Sequence, residues 1–115
     1  MNKTKRKQQL VAYELFQAKD EFLGRSLKYA RDEDIDSIRD AFLQGNYESV
    51  WTFQLPADGL ERRLEEVFYL SNNIDSSWHP QRPCRSTSVG DIVKTRDEYW
   101  IVASVGFKHG WGTSA

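Results

Sequence analysis

The spacing of apolar residues predicts a strand and then a helix in the first part of the chain. Apolar and polar residues alternate over 10–17, although neither phase is purely apolar. This favours a strand, with a helix over 8–19 as the alternative. A turn is expected at 20–24. Over 32–43, apolar residues recur at helical spacing and acidic residues fill the first turn, where the helix dipole favours them, so we expect a helix there.

The middle of the chain predicts a second strand and a second helix. Aromatic and aliphatic residues alternate with polar ones over 47–55, which is typical of a strand with one strongly apolar face. After a turn at 56–59, residues 60–70 carry the clearest helical pattern. The apolar stripe of this helix, which we expect to face the core, consists of Leu60, Leu64, Val67 and Phe68.

The rest of the chain predicts a long loop and a β-hairpin. Residues 71–88 are polar and contain two prolines, which marks a loop. Two apolar runs, 89–95 and 99–105, flank the polar residues 96–98, and this arrangement is typical of a hairpin. Residues 108–115 are expected to form a tail.

The order of these elements predicts an α+β fold with a mostly antiparallel sheet of about four strands and two helices on one side. A chain of 115 residues suits one domain. We expect that domain to span 10–107, between a flexible basic arm at 1–9 and the tail at 108–115.

Charge is unevenly distributed, although the net charge is only −1. Residues 1–30 carry seven basic and three acidic side chains, whereas residues 31–66 carry four basic and ten acidic ones. The basic excess at the start comes mainly from Lys3, Lys5, Arg6 and Lys7. Such an arm is either a solvated terminus or a short phosphate-binding segment.

Cys84 is the only cysteine, so the chain forms no intrachain disulfide, which fits a reducing compartment. No signal peptide is visible, and no apolar run approaches the ~18 residues of a membrane span. The sequence therefore predicts a cytoplasmic protein that does not associate with a membrane.

No pattern of residues predicts catalysis, a metal or a cofactor. The two glycine-rich phosphate-binding motifs are missing from the sequence. Cys84 with His79 or His109 would supply a thiol and a base, but only the residue types suggest it. One cysteine and two histidines are too few for zinc, which normally takes four nitrogen or sulfur ligands. We expect a protein without enzymatic activity.

The 71–88 loop holds the strongest binding chemistry. Its Trp78, Arg82 and Arg85 combine an indole ring with two guanidinium groups. Such a group anchors a loop to the core, forms a protein interface, or stacks a base and binds phosphate. The candidate binding or loop-anchoring residues are Asn73, Asp75, Trp78, Arg82, Arg85, Ser86, Ser88 and Asp91.

Two of these candidates support sharper expectations. Arg85 precedes Asp91 by six positions, and the small residues between them favour a bend. We expect a structural ion pair or hydrogen-bonded bridge between the two, with Asp75 as the alternative partner. Trp78 is expected to be largely buried and to hold the loop on the body of the domain. Ser86 and Ser88 belong either to a turn or to the edge of a polar pocket.

The same residues carry a family resemblance. The shared pattern is N-x-x-x-S-W, then R-S-x-S-V-G-D-[IV], then a strand ending near S-x-G-F, and it matches residues 73–78, 85–92 and 104–107. Through this pattern the chain resembles small uncharacterised proteins of phages, plasmids and integrated elements, including the YodL-like group. Residues 13–17 also look like the opening strand of that family. The resemblance implies a mobile-element setting and no particular activity.

The expected function is therefore a non-catalytic binding module of a phage or other mobile element, with a host protein as its partner. The alternative is a nucleic-acid-binding accessory protein that uses the basic arm and the segment from Trp78 to Arg85. Binding to nucleic acid would weaken steeply with salt, whereas a protein interface with an apolar centre would respond less.

Overall fold

The structure is a computed structural model that describes residues 9–72 and 85–112. Its strands are β1 (Leu10–Ala18), β2 (Tyr47–Pro56), β3 (Ile92–Thr95), β4 (Glu98–Val102) and β5 (Phe107–Gly112). Its helices are α1 (Leu23–Arg31), α2 (Ile35–Leu43) and α3 (Leu60–Asn72), and a 3-10 turn (Asp20–Phe22) precedes α1. All pairs of strands are antiparallel, in the order β2-β1-β3-β4-β5.

β1 is the strand through which the two halves of the chain meet. It pairs with β2 along its whole length, from Leu10 opposite Pro56 to Ala18 opposite Tyr47. Its pairing with β3 is much shorter. That pairing consists of Glu14 with Lys94, Leu15 with Val93 and Phe16 with Ile92. The early and late halves of the chain therefore share one short ladder.

Both faces of the sheet are covered by helices. On one face, Ile38 and Ala41 of α2 pack against the sheet residues Ala18, Tyr47, Ile92, Tyr99 and Ile101. On the other face, Leu64 and Val67 of α3 pack against Tyr13, Leu15, Val50, Phe53 and Val93. The prediction that the helices lie on one side of the sheet was therefore wrong. Both phases of β1 carry apolar residues because each face packs against a different layer, and each phase also carries a polar residue, Gln17 or Glu14, that forms hydrogen bonds.

The α+β class and the antiparallel sheet are confirmed, but the described residues contain five strands and three α-helices where about four and two were predicted. The missed helix, α1, has Ser26 as its buried residue, and it begins where a turn was expected. Its apolar positions, Leu23, Leu27 and Ala30, are few among charged and polar residues, and Gly24 lowers helix propensity. The missed strand, β5, includes residues 108–112 of the predicted tail. Its two glycines lower strand propensity.

Several helix and strand boundaries also differ from the predicted ones. α2 begins at Ile35 rather than at residue 32, because Asp34 caps it and accepts hydrogen bonds from the Ser37 amide (3.2 Å) and hydroxyl (2.7 Å). The predicted hairpin strands are shorter, at 92–95 and 98–102. The turn between them places two residues at positive φ, as a two-residue hairpin connection requires.

The helix predicted over 60–70 is present as α3. Leu64 and Val67 are buried as expected, and Leu60 is half-buried. The prediction was wrong for Phe68, which is 38% exposed. Phe68 lies at the flank of the apolar stripe, beyond the part of α3 that packs on the sheet.

Candidate functional site

The ion pair predicted between Arg85 and Asp91 is present where the chain returns to the sheet ahead of β3. The two groups meet side by side: Arg85 Nη1 lies 2.8 Å from Asp91 Oδ2, and Nη2 lies 2.8 Å from Oδ1. The Asp91 side chain is fully buried, whereas that of Arg85 is 23% exposed. This planar fork is the strongest geometry available to a guanidinium and a carboxylate.

Backbone groups complete the surroundings of the pair. The amides of Ala18 and Ser88 donate to the two Asp91 oxygens at 3.0 and 2.8 Å. Arg85 also donates to the Ala18 carbonyl at 2.9 Å and to Ser88 Oγ at 3.0 Å. We call Arg85, Ser88 and Asp91, with the backbone of Ala18, the polar cluster. It joins the end of β1 to the turn before β3.

A second set of hydrogen bonds ties the end of α3 to the same turn. Thr87 Oγ1 donates to Ser71 Oγ at 2.7 Å, and both side chains are buried. Gln17 Nε2 donates to the Arg85 carbonyl at 2.8 Å and lies 3.4 Å from Thr87 Oγ1. The residues on either side of the segment 73–84 are therefore held next to each other. Sequence reasoning missed these three residues, and the only signal was a glutamine at an inward position of β1.

A third contact fixes α1 to the turn at Gly90. The hydroxyls of Ser26 and Tyr47 lie 2.9 and 3.0 Å from the Gly90 carbonyl, and 3.0 Å from each other. Gly90 has φ +101, and a Cβ there would come 2.3 Å from Ser26 Oγ. Burial, aided by the charge of Asp91, raises the pKa of Tyr47 to about 12, so its hydroxyl is a donor at neutral pH.

These contacts decide what the predicted residues can do chemically. Arg85 and Asp91 neutralise each other, and the carboxylate oxygens are already occupied, which leaves Asp91 unsuited to acid–base chemistry. Ser88 belongs to the polar cluster, while Ser86 accepts from Arg85 through its carbonyl at 3.0 Å and exposes its side chain. Arg85, Ser88 and Asp91 therefore stabilise the fold by connecting the end of β1 to the turn before β3.

The remaining predicted residues divide into two groups. The expectations for one group remain predictions, because these residues lie outside the described part of the chain: Asn73, Asp75, Trp78, His79, Arg82, Cys84 and residues 1–8 of the basic arm. His109 is on β5, where it pairs with Glu98 across the β4–β5 ladder. In residues 9–72 and 85–112, no three cysteine, histidine or acidic side chains are grouped closely enough to hold a metal ion.

An apolar cavity that the sequence did not predict opens between α3 and the β4–β5 turn. It has a volume of about 170 Å³. Its described lining consists of Glu65, Phe68, Val102, Ala103, Ser104, Gly106 and Phe107. Two large apolar side chains are exposed next to lining residues in the sequence: Tyr69, which follows Phe68 on α3, is 65% exposed, and Val105, between Ser104 and Gly106, is 91% exposed.

The charges near this cavity are unequal. Glu65 is the only charged residue among its described lining residues, and it forms no ion pair with any other described residue. Arg63, by contrast, is held by Asp58 at 3.2 Å and by Glu66 at 3.1 Å. The mouth of the cavity therefore combines apolar surface with one negative charge.

Comparisons with known proteins returned no matching family model, no matching curated protein and no matching solved structure. Across the part of the chain that the structure describes, no helix has both the length and the apolar character needed to cross a bilayer.

Proposed function

We propose that this protein is a non-catalytic binding module of a phage or other mobile element, and that it binds a protein of its bacterial host in the cytoplasm. The mobile-element setting rests on the sequence pattern at 73–78, 85–92 and 104–107. The observation that supports protein binding is the exposed apolar surface around the cavity between α3 and the β4–β5 turn.

That surface has the composition of an interface centre. Phe68, Tyr69 and Val105 are exposed by 38, 65 and 91%, and they lie at or beside the cavity on α3 and the β4–β5 turn. Large apolar side chains exposed next to a cavity favour a site of interaction, because water favours their burial. Aromatic side chains beside a pocket are also the commonest energetic anchors of protein complexes.

The polar cluster supports a non-catalytic role for the predicted candidates. Arg85 and Asp91 hold each other and the end of β1, so their groups serve the fold. The nucleic-acid alternative therefore loses one of the cations that it invoked. The nucleic-acid alternative is left with the basic arm, Trp78 and Arg82, and the structure describes neither Trp78, Arg82 nor residues 1–8 of the arm.

A capture experiment from host lysate, with and without nuclease, tests the proposal. The tagged protein should retain one host protein after nuclease treatment, and the double variant Phe68→Ser/Val105→Ser should lose it. Leu43→Ser is the matched control, because Leu43 is 70% exposed on the opposite face of the sheet and its replacement should leave capture unchanged.

Two results would count against the proposal. Capture that disappears with nuclease would favour the nucleic-acid alternative, as would a steep loss of binding between low and high salt. If the folded double variant Phe68→Ser/Val105→Ser still captures the host protein, the surface around the cavity is not the interface.

A further inference from the structure

The geometry points to a specific partner chemistry at the apolar cavity. We infer that it receives one apolar side chain of leucine or phenylalanine size from the partner, and that a lysine or arginine beside that side chain pairs with Glu65. This inference rests on the proposed function, since it names the chemistry of the segment that binds the same surface.

Size and lining select the apolar residue. The cavity volume is about 170 Å³, and a cavity of roughly 150 Å³ lined by apolar side chains accommodates a benzene ring. Two aromatic rings and a valine, from Phe68, Phe107 and Val102, supply most of its apolar lining. A single ring or a branched aliphatic group therefore fits, whereas an alanine or serine would leave the cavity unfilled.

Charge selects the neighbour of that residue. Glu65 lies on the rim of the cavity without an ionic partner among the described residues. Two nearby cations are already paired: Arg63 with Asp58 and Glu66, and Lys108 with Glu33. Arg62 is exposed on α3 but does not line the cavity. A positive group on the partner could therefore pair with the Glu65 carboxylate without breaking an ion pair among the described residues.

A panel of short synthetic peptides tests the inference without knowledge of the natural partner. Three peptides carry a central phenylalanine flanked by lysine, by glutamine or by glutamate, and a fourth carries serine between lysines. Amide shifts of Phe68, Val102 and Phe107 in ¹H–¹⁵N spectra report occupation of the cavity. The lysine–phenylalanine peptide should bind at least tenfold more tightly than the serine peptide, and about fivefold more tightly than the glutamate peptide.

Charge reversal assigns the preference to Glu65. Glu65→Lys should invert it, so that the glutamate peptide binds more tightly than the lysine peptide. Glu61→Lys, one helical turn earlier and outside the cavity lining, should leave the preference as in the original protein. Both positions are exposed, so Glu65→Lys should keep the melting temperature, while Glu61→Lys should lower it slightly because Glu61 lies in the first turn of α3, where the helix dipole disfavours a cation.

The outcomes separate this inference from the proposed function. Absence of shifts at the cavity up to millimolar peptide would overturn the inference, and so would equal binding of all three phenylalanine peptides. If lysate capture still depends on Phe68 in that case, the protein interface stands and only the partner chemistry is wrong. If the peptides bind as expected but no host protein is captured, the cavity chemistry stands and the host-protein function fails.

Discussion

Replacement of Arg85 by alanine isolates the energetic role of the polar cluster. Asp91 is fully buried, and the substitution would remove both guanidinium bonds to its carboxylate. Loss of one partner from a buried ion pair typically costs 3–5 kcal/mol, because the remaining charge is uncompensated. Arg85 is 23% exposed, so water would replace part of its contribution. We therefore expect a loss of about 3 kcal/mol in the free energy of unfolding.

A loss of that size is easy to measure in a domain whose total stability is on the order of 5–15 kcal/mol. Urea unfolding followed by tryptophan fluorescence should show a lower midpoint for Arg85→Ala with an unchanged slope. Arg25→Ala is the control, since Arg25 is exposed on α1 and its replacement should change stability by less than about 0.5 kcal/mol.

A double-mutant cycle then tests whether Arg85 acts through Asp91. Asp91→Asn keeps the size of the side chain and removes its charge. The combined variant should be more stable than the sum of the two single losses predicts, by about 1–3 kcal/mol, because either substitution alone already breaks the pair. Strict additivity, or a loss below about 1 kcal/mol for Arg85→Ala, would refute the structural role and leave ligand binding as the reason for the arginine.

The remaining predictions concern the contact between α1 and the turn before β3. Gly90→Ala should destabilise the protein by about 3 kcal/mol in urea unfolding, because its Cβ would overlap Ser26 and its φ of +101 disfavours any side chain. Gly24→Ala, which meets nothing within 4 Å on α1, should instead stabilise by about 0.5–1 kcal/mol; the reverse order would contradict the geometry. The pKa of Tyr47 is about 12 in the folded state and 10.0 ordinarily, so its contribution to the free energy of unfolding is intact below pH 10. That contribution is lost as the pH rises toward 12, and the free energy of unfolding should fall by about 2 kcal/mol. Unfolding curves from pH 9 to 12 should show this loss in the original protein and a smaller one in Tyr47→Phe, and equal losses would exclude Tyr47 as the source.

Sequence reasoning succeeded where local pattern and local spacing decide the structure. Leu64 and Val67 were assigned to the core because a helical stripe must bury its centre. Arg85 and Asp91 were paired because only six positions separate them, across a turn-forming segment.

It failed where distant residues decide. α1 is held partly through Ser26, whose acceptor is the carbonyl of Gly90, 64 positions later, so no local pattern could reveal the contact. β5 forms despite its glycines because β4 offers a ladder, with Trp111 stacked 4.8 Å from Tyr99. The cavity depends on α3 and the β4–β5 turn meeting at one edge, and Phe68 was assigned inward because a helical stripe does not reveal where the partner surface ends.

The short pairing of β1 with β3 has a consequence for the order of folding. β1 can join β2 within the first half of the chain as it leaves the ribosome, whereas the three residue pairs with β3 close a loop of more than 70 residues. We expect this closure to limit the rate of folding, with the polar cluster forming once it is complete. Contacts that form after the rate-limiting barrier slow unfolding and leave the folding rate nearly unchanged. The ion pair between Arg85 and Asp91 would then lower the unfolding rate, and so set how long the two halves of the chain stay joined.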